Sequence, residues 1–178
     1  QADVLVRNLI AFLQRSNRFA SLKGNRCSRG RYDADDILMH RKSRIEASVQ
    51  RQYLYLSTAP SLARSEVDAI LESSARKHPA RGITGLLLYN GRNFLQLLEG
   101  DEAELVELIV RITHDPRHSG ISFLHSADVK DRACPDWAMK RVLISESVPD
   151  RKKLLESELP AQMDEALRRL IINFAVLN

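Results

Sequence analysis

The chain has 178 residues, of which 44% are hydrophobic and 28% charged. That is enough apolar material for the core of one ordinary domain plus appendages, and no uninterrupted apolar run of about eighteen residues exists to cross a membrane. The net charge of +4 is uneven: residues 1–50 carry ten Lys/Arg against five Asp/Glu, the remainder seventeen against eighteen. The basic character therefore belongs to an N-terminal segment, read as a solvated tail in preference to a nucleic-acid-binding arm. Cys27 and Cys134 are too far apart for a zinc pattern or a CxxC motif, and read as free thiols in a reducing compartment. Residues 1–20 do not form a signal peptide. Arg7 and Asn8 interrupt the apolar stretch from Val4 to Leu13, and no clean cleavage site follows. The expected location is the cytoplasm.

Residues 1–48 read as a basic extension, with a short amphipathic helix over Val4–Leu13 and a second helix from about Ile37 to Gln50. Met39 is a plausible start of translation. From Gln52 the pattern sharpens. Tyr53 to Ser57 is apolar and β-prone, a buried strand. Ser65 reads as the N-cap of a helix whose face carries Val67, Ile70, Leu71 and Ser74, ended near Lys77 or His78 by Pro79. Ile83 to Tyr89 is a strand, Asn90-Gly91 a two-residue hairpin turn, and Asn93 to Leu98 the return strand. Glu99-Gly100-Asp101 caps a helix striped by Leu105, Leu108, Ile109 and Ile112. His114 to His118 breaks that helix. Ile121 to Val129 and Asp136 to Ile144 read as two further strands.

The order βαββαββ predicts an α+β, ferredoxin-like sandwich over residues 51–145, with a mostly antiparallel sheet and two helices on one face. Residues 149–178 form a helical extension. Pro149 marks its connector, Lys152–Glu158 a short helix, and Pro160 the opening of a last helix. Met163, Ala166, Leu167, Leu170 and Ile171 share a face of that last helix. This face is expected to pack on the sheet, with a protein partner or a second copy as the alternative occupant.

No GxSxG, P-loop or HExxH motif is present, so no enzymatic activity is expected. His114 and His118 are four apart, but Asp115-Pro116 between them breaks the helix that a metal pair needs. Four segments instead resemble the blue-light-using-flavin (BLUF) family. They are Tyr55-Leu56-Ser57, Gly82-Ile83-Thr84-Gly85-Leu86-Leu87, Phe94 to Gly100, and Pro135-Asp136-Trp137-Ala138-Met139 on the last strand. Their order and spacing agree over about half the chain, and the Asp115-Pro116-Arg117-His118 turn is similar too.

The resemblance implies a photoreceptor that holds FAD and signals through protein contact, with no enzymatic output of its own. It implies that Tyr55 gives an electron and a proton to the excited flavin. It implies that Gln96 bridges Tyr55 and the flavin edge and rearranges on illumination, and that Trp137 and Met139 report the change. The implied cofactor-binding set is Tyr55, Ser57, His78, Ile83, Phe94, Gln96 and Leu98. The residues support the placement: Tyr55 shares a strand face with Tyr53 and Ser57, and a Gln between Leu95 and Leu97 in a buried strand demands a partner. His78 departs from the family, which has Asn at this position. A neutral imidazole offers one donor and one acceptor on opposite sides, not an amide's side-by-side pair.

Two other readings are distinguishable. A member that keeps the fold without the flavin would be a constitutive binding module. An RNA-binding sandwich shares the general layout but needs exposed aromatics on two central strands, and no such pattern surrounds Tyr53 and Phe94.

Overall fold

The computed structural model describes residues 50–59, 62–143 and 148–177. The basic extension, its two expected helices, Met39 and Cys27 lie outside the described residues. Gln50, expected at the end of a helix, instead opens the first strand. The elements are β1 (Gln50–Thr58), α1 (Arg64–Lys77), β2 (Thr84–Tyr89), β3 (Asn93–Asp101), α2 (Glu102–Thr113), β4 (Ser119–Val129), β5 (Lys140–Leu143), α3 (Val148–Glu158) and α4 (Glu165–Leu177). They form the α+β, ferredoxin-like arrangement that the patterning predicts. One five-stranded sheet has the order β4-β1-β3-β2-β5, antiparallel except where β2 meets β5.

Local chemistry sets the element ends, and it corrects several expectations. Ser65 lies inside α1; the N-cap is Ala63, whose N–H donates to Glu66 Oε2 at 2.8 Å. Pro79 does end α1, but His78 stays in the right-handed helical region, its N–H donating to Ser74 O at 2.8 Å. The helix stops there because proline has no N–H with which to continue it. The β2–β3 turn sits one residue later than expected. Asn90 Oδ1 accepts from Arg92 N (3.0 Å) and Asn93 N (2.7 Å), leaving Gly91, at φ 90°, and Arg92 at the tip. Asp101 caps α2 by accepting from Ala103 N at 3.0 Å. Pro149 lies within the first turn of α3 and is no connector. Pro160 precedes α4, whose first turn is capped by Asp164 accepting from Ala166 N and Leu167 N.

The largest correction concerns the last strand. Residues 136–139 are loop, and β5 begins only at Lys140. Pro135 cannot donate to a ladder, and Trp137 N turns back to the Cys134 carbonyl at 3.3 Å. Trp137 and Met139 therefore sit in the loop that feeds β5.

Strand alternation sorts the core into two layers. Leu54, Leu86, Leu88, Leu95 and Leu97 face one side, where Leu155, Leu159, Met163, Leu167, Ile171 and Phe174 of the C-terminal segment cover them. The apolar face of α4 is thus used on the sheet. The opposite side carries Tyr53, Tyr55, Ser57, Leu87, Phe94, Gln96 and Leu98, all buried, beneath α1 and α2. A register shift between Leu54 and Tyr55 in the β1–β4 pairing skips Leu124, which points to solvent. This bulge lies directly beside Tyr55.

At Gly85 an added Cβ would lie 2.0 Å from Leu97 O. Gly85→Ala must therefore push β2 from β3, and is expected to destabilise the protein by about 3 kcal/mol in urea denaturation. Burial also holds His78, His118 and His125 below their ordinary pKa of 6.5. Each is neutral when folded and protonates more readily when unfolded, so stability is complete above pH 6.5 and falls as pH drops below it. A lower urea midpoint at pH 5.5 than at pH 7.5, with the difference reduced in His118→Gln, is the expected result.

Candidate functional site

The site is built on the β1–β3 register. Tyr55 stands directly opposite Gln96, Ser57 opposite Phe94, and Tyr53 opposite Leu98. Gln96 also pairs with Leu87 on β2, so it lies in the sheet's central strand with neighbours on both sides. The Tyr55 phenol is fully buried, and burial, with the nearby charge of Asp115, pushes its pKa far up. It is a neutral donor, and it donates to Gln96 Oε1. That fixes the amide. Its oxygen faces Tyr55, and its NH2 group lies on Met139 Sδ at 3.7 Å. A thioether is a weak acceptor, so the amide retains donor capacity for a stronger partner.

His78 closes the site from the end of α1. It is buried, and its Nδ1 lies 3.0 Å from the Ala138 carbonyl. A carbonyl only accepts, so Nδ1 carries the proton. Burial foremost, opposed by this bond and aided by Arg81, keeps the ring neutral. Nε2 is then an acceptor. Three consecutive loop residues thus touch three elements. The Trp137 carbonyl accepts from Gly85 N on β2 at 2.8 Å, the Ala138 carbonyl from His78, and Met139 Sδ meets Gln96 on β3. Trp137 itself packs toward the C-terminal cluster on the other side of the sheet. The two reporters expected on one strand therefore face opposite layers.

Ser57 Oγ is fully buried and shares a 2.9 Å hydrogen bond with His118 Nδ1. The His118 ring lies on Phe94, centroids 5.1 Å apart. His118 enters the site from the start of β4, a position that sequence spacing does not reveal; the only sequence signal was the Asp115-to-His118 turn. His114 Nδ1 donates instead to Val110 O, so the two histidines point to different partners. Ile83, Phe94 and Leu98 are fully buried and supply apolar surface. Arg81, near the end of α1, is held by Glu104 (2.6 Å) and Glu107 (3.0 Å) on α2. Lys77 is exposed. Tyr53 and Phe94 are fully buried, so neither offers the exposed platform an RNA-binding sandwich requires.

The donor set suits a flat heteroaromatic ring with a mixed polar edge. Gln96 has N–H groups for a carbonyl or imine nitrogen, His78 has an acceptor for an N–H, and the aliphatic and aromatic side chains meet the ring plane. Among the described residues, no helix is long and apolar enough to cross a membrane.

Residues 51–140, half of the chain, match the family described as sensors of blue-light using FAD, BLUF. The photoactivated adenylate cyclase subunit beta of Euglena longa is 35% identical over 88 residues, which cover 49% of this chain and 10% of that protein. The chain thus matches only about a tenth of the length of these curated relatives. BlrB, a BLUF protein solved in its dark state, is 32% identical with a TM-score of 0.57, covering 71% of this chain and 98% of BlrB. The BlrP1 BLUF structure is 26% identical with a TM-score of 0.62, covering 71% of this chain and 90% of that one. The chain belongs to the BLUF family of flavin-using blue-light sensors.

Proposed function

We propose that residues 51–145 are the sensor body, holding FAD on the α1/α2 side of the sheet, and that residues 149–178 cap its other side. The observation that carries this reading is the Tyr55–Gln96 bond, with the amide NH2 left on a thioether. When bound, the flavin supplies blue-light absorption and, once excited, an oxidant. Tyr55 would be the buried phenol that supplies an electron and a proton to the bound, excited flavin and recovers both, leaving no net redox change. Gln96 is the switch. Turning its amide exchanges the positions of C=O and NH2, which alters both its bond with Tyr55 and its contact with Met139.

His78 takes the place of the family's amide. With Nδ1–H committed to Ala138, it contributes one acceptor toward the ring's N3–H and no second donor. Ser57, Ile83, Phe94 and Leu98 complete the cradle. Output passes by protein contact from the Met139–Lys140 region.

The test is the absorption spectrum of the full chain reconstituted with FAD, in darkness and under blue light. A red shift that reverses in the dark is expected. Tyr55→Phe and Gln96→Leu are expected to bind FAD within about tenfold of the unaltered chain, since each removes about one hydrogen bond to the ring at most, yet to show no shift. Bound FAD with no light response in the unaltered chain overturns the reading. Preference for FMN over FAD in a competition measurement corrects the cofactor alone.

A further inference from the structure

Glu99 follows Gln96 by three residues on β3, so strand alternation turns it to the opposite side of the sheet. It is fully buried. Its carboxylate accepts from Ala133 N (2.8 Å), Cys134 N (2.8 Å) and Gln52 Nε2 (2.7 Å). Gln52 Oε1 in turn accepts from His125 Nε2 at 3.1 Å. Strand β3 therefore grips the 133–139 loop at both ends: through Glu99 at Ala133–Cys134, and through Gln96 at Met139.

The two grips are unequal. Hydrogen bonds to a carboxylate are about twice as strong as neutral ones, and breaking these leaves buried N–H groups unpaired. The Gln96–Met139 contact is a long N–H to sulfur contact. Trp137 O and Ala138 O are also tied, by Gly85 N (2.8 Å) and His78 Nδ1 (3.0 Å), but through neutral bonds, so a change at Gln96 loosens the Met139 end before the carboxylate-held Ala133 end yields. Beyond Met139 comes Lys140. Its ammonium lies 4.3 Å over the Trp137 ring and pairs with Glu158 at the end of α3. The fixed end also meets the C-terminal segment, where Gln162 Nε2 donates to Ala133 O at 3.1 Å.

We propose that Glu99 is a positioning residue, the fixed pivot of the 133–139 loop, so that rearrangement at Gln96 displaces the Trp137–Lys140 end and its Glu158 contact with α3. The pivot rests on the light-sensing reading above. Without a pivot, the loop would shift as a unit and the displacement at Lys140 would be lost among its contacts. With one, a small change at Met139 is delivered to the Lys140–Glu158 ion pair, a partly exposed contact of the kind that contributes little and is readily broken.

The test is hydrogen–deuterium exchange of the FAD-loaded full chain, lit and dark, with the flavin spectrum recorded on the same sample. In the unaltered chain, light is expected to raise exchange in residues 148–158 by about threefold or more while Ala133 and Cys134 stay protected. Glu99→Gln keeps one acceptor oxygen, so its α3 response is expected to fall and its red shift to persist. Lys140→Met leaves the core untouched and is expected to keep the red shift and the Ala133–Cys134 protection while losing the α3 response. An α3 response equal to the unaltered chain's in either variant overturns the pivot. So does light-induced exchange at Ala133 and Cys134. A red shift without any α3 response in the unaltered chain overturns the pivot alone; bound FAD without a red shift overturns the sensor reading and the pivot with it.

Discussion

The pairing of Tyr55 with Gln96 across β1 and β3 is the constraint on which the rest of the site depends. A buried phenol has one proton to give and must find an acceptor. A buried amide has both a donor and an acceptor end, and must place each. Once the phenol takes the carbonyl, the NH2 group is forced to the other side, toward Met139. One side chain thereby reads the sheet on one flank and a loop on the other. The bulge in the β1–β4 pairing lies beside Tyr55 on the flank of β1 away from Gln96.

The loop before β5 is the structural consequence. It lies where two packed layers meet and has a contact in each. Met139 and the Ala138 carbonyl face the Tyr55 side, while Trp137 packs on the C-terminal helices. Polar anchoring makes this feasible. The backbone groups of a buried loop need partners, and Glu99, Gly85, His78 and Gln162 supply them. Cys134, between two of these anchors, is buried, and burial pushes its thiol well above its usual pKa, so it is an inert packing residue.

His78 sets the bonding at the end of α1 by the geometry of its ring. An amide in its place would present donor and acceptor side by side. The imidazole separates them, and its Nδ1 is drawn to the loop. The position therefore ties the end of α1 to the loop that carries Trp137 and Met139. Arg81 shows a related economy: its guanidinium holds α2 through Glu104 and Glu107.

Much of this protein was legible in its sequence. Continuous apolar, β-prone runs locate β1, β2 and β3, the Asn90–Gly91 pair announces the hairpin, and the isolated polar Gln96 within Leu95–Leu97 demands a partner. These signals are local: each depends on a short run of neighbours, or on a backbone angle that one residue type permits. The start of β5 differs from the expectation because Trp137 and Met139 look strand-like, while groups distant in sequence, Glu99, Gly85 and His78 among them, hold that segment as a loop. The contacts of Glu99, His118 and Lys140 are not legible in the sequence for the same reason. A charged or polar residue near a strand end has no period, and its role is defined by groups distant in sequence. Residue types thus determined which side chains could do the chemistry. Tertiary structure decided which of them meet, because a buried donor can be satisfied only by the acceptor that the fold brings to it.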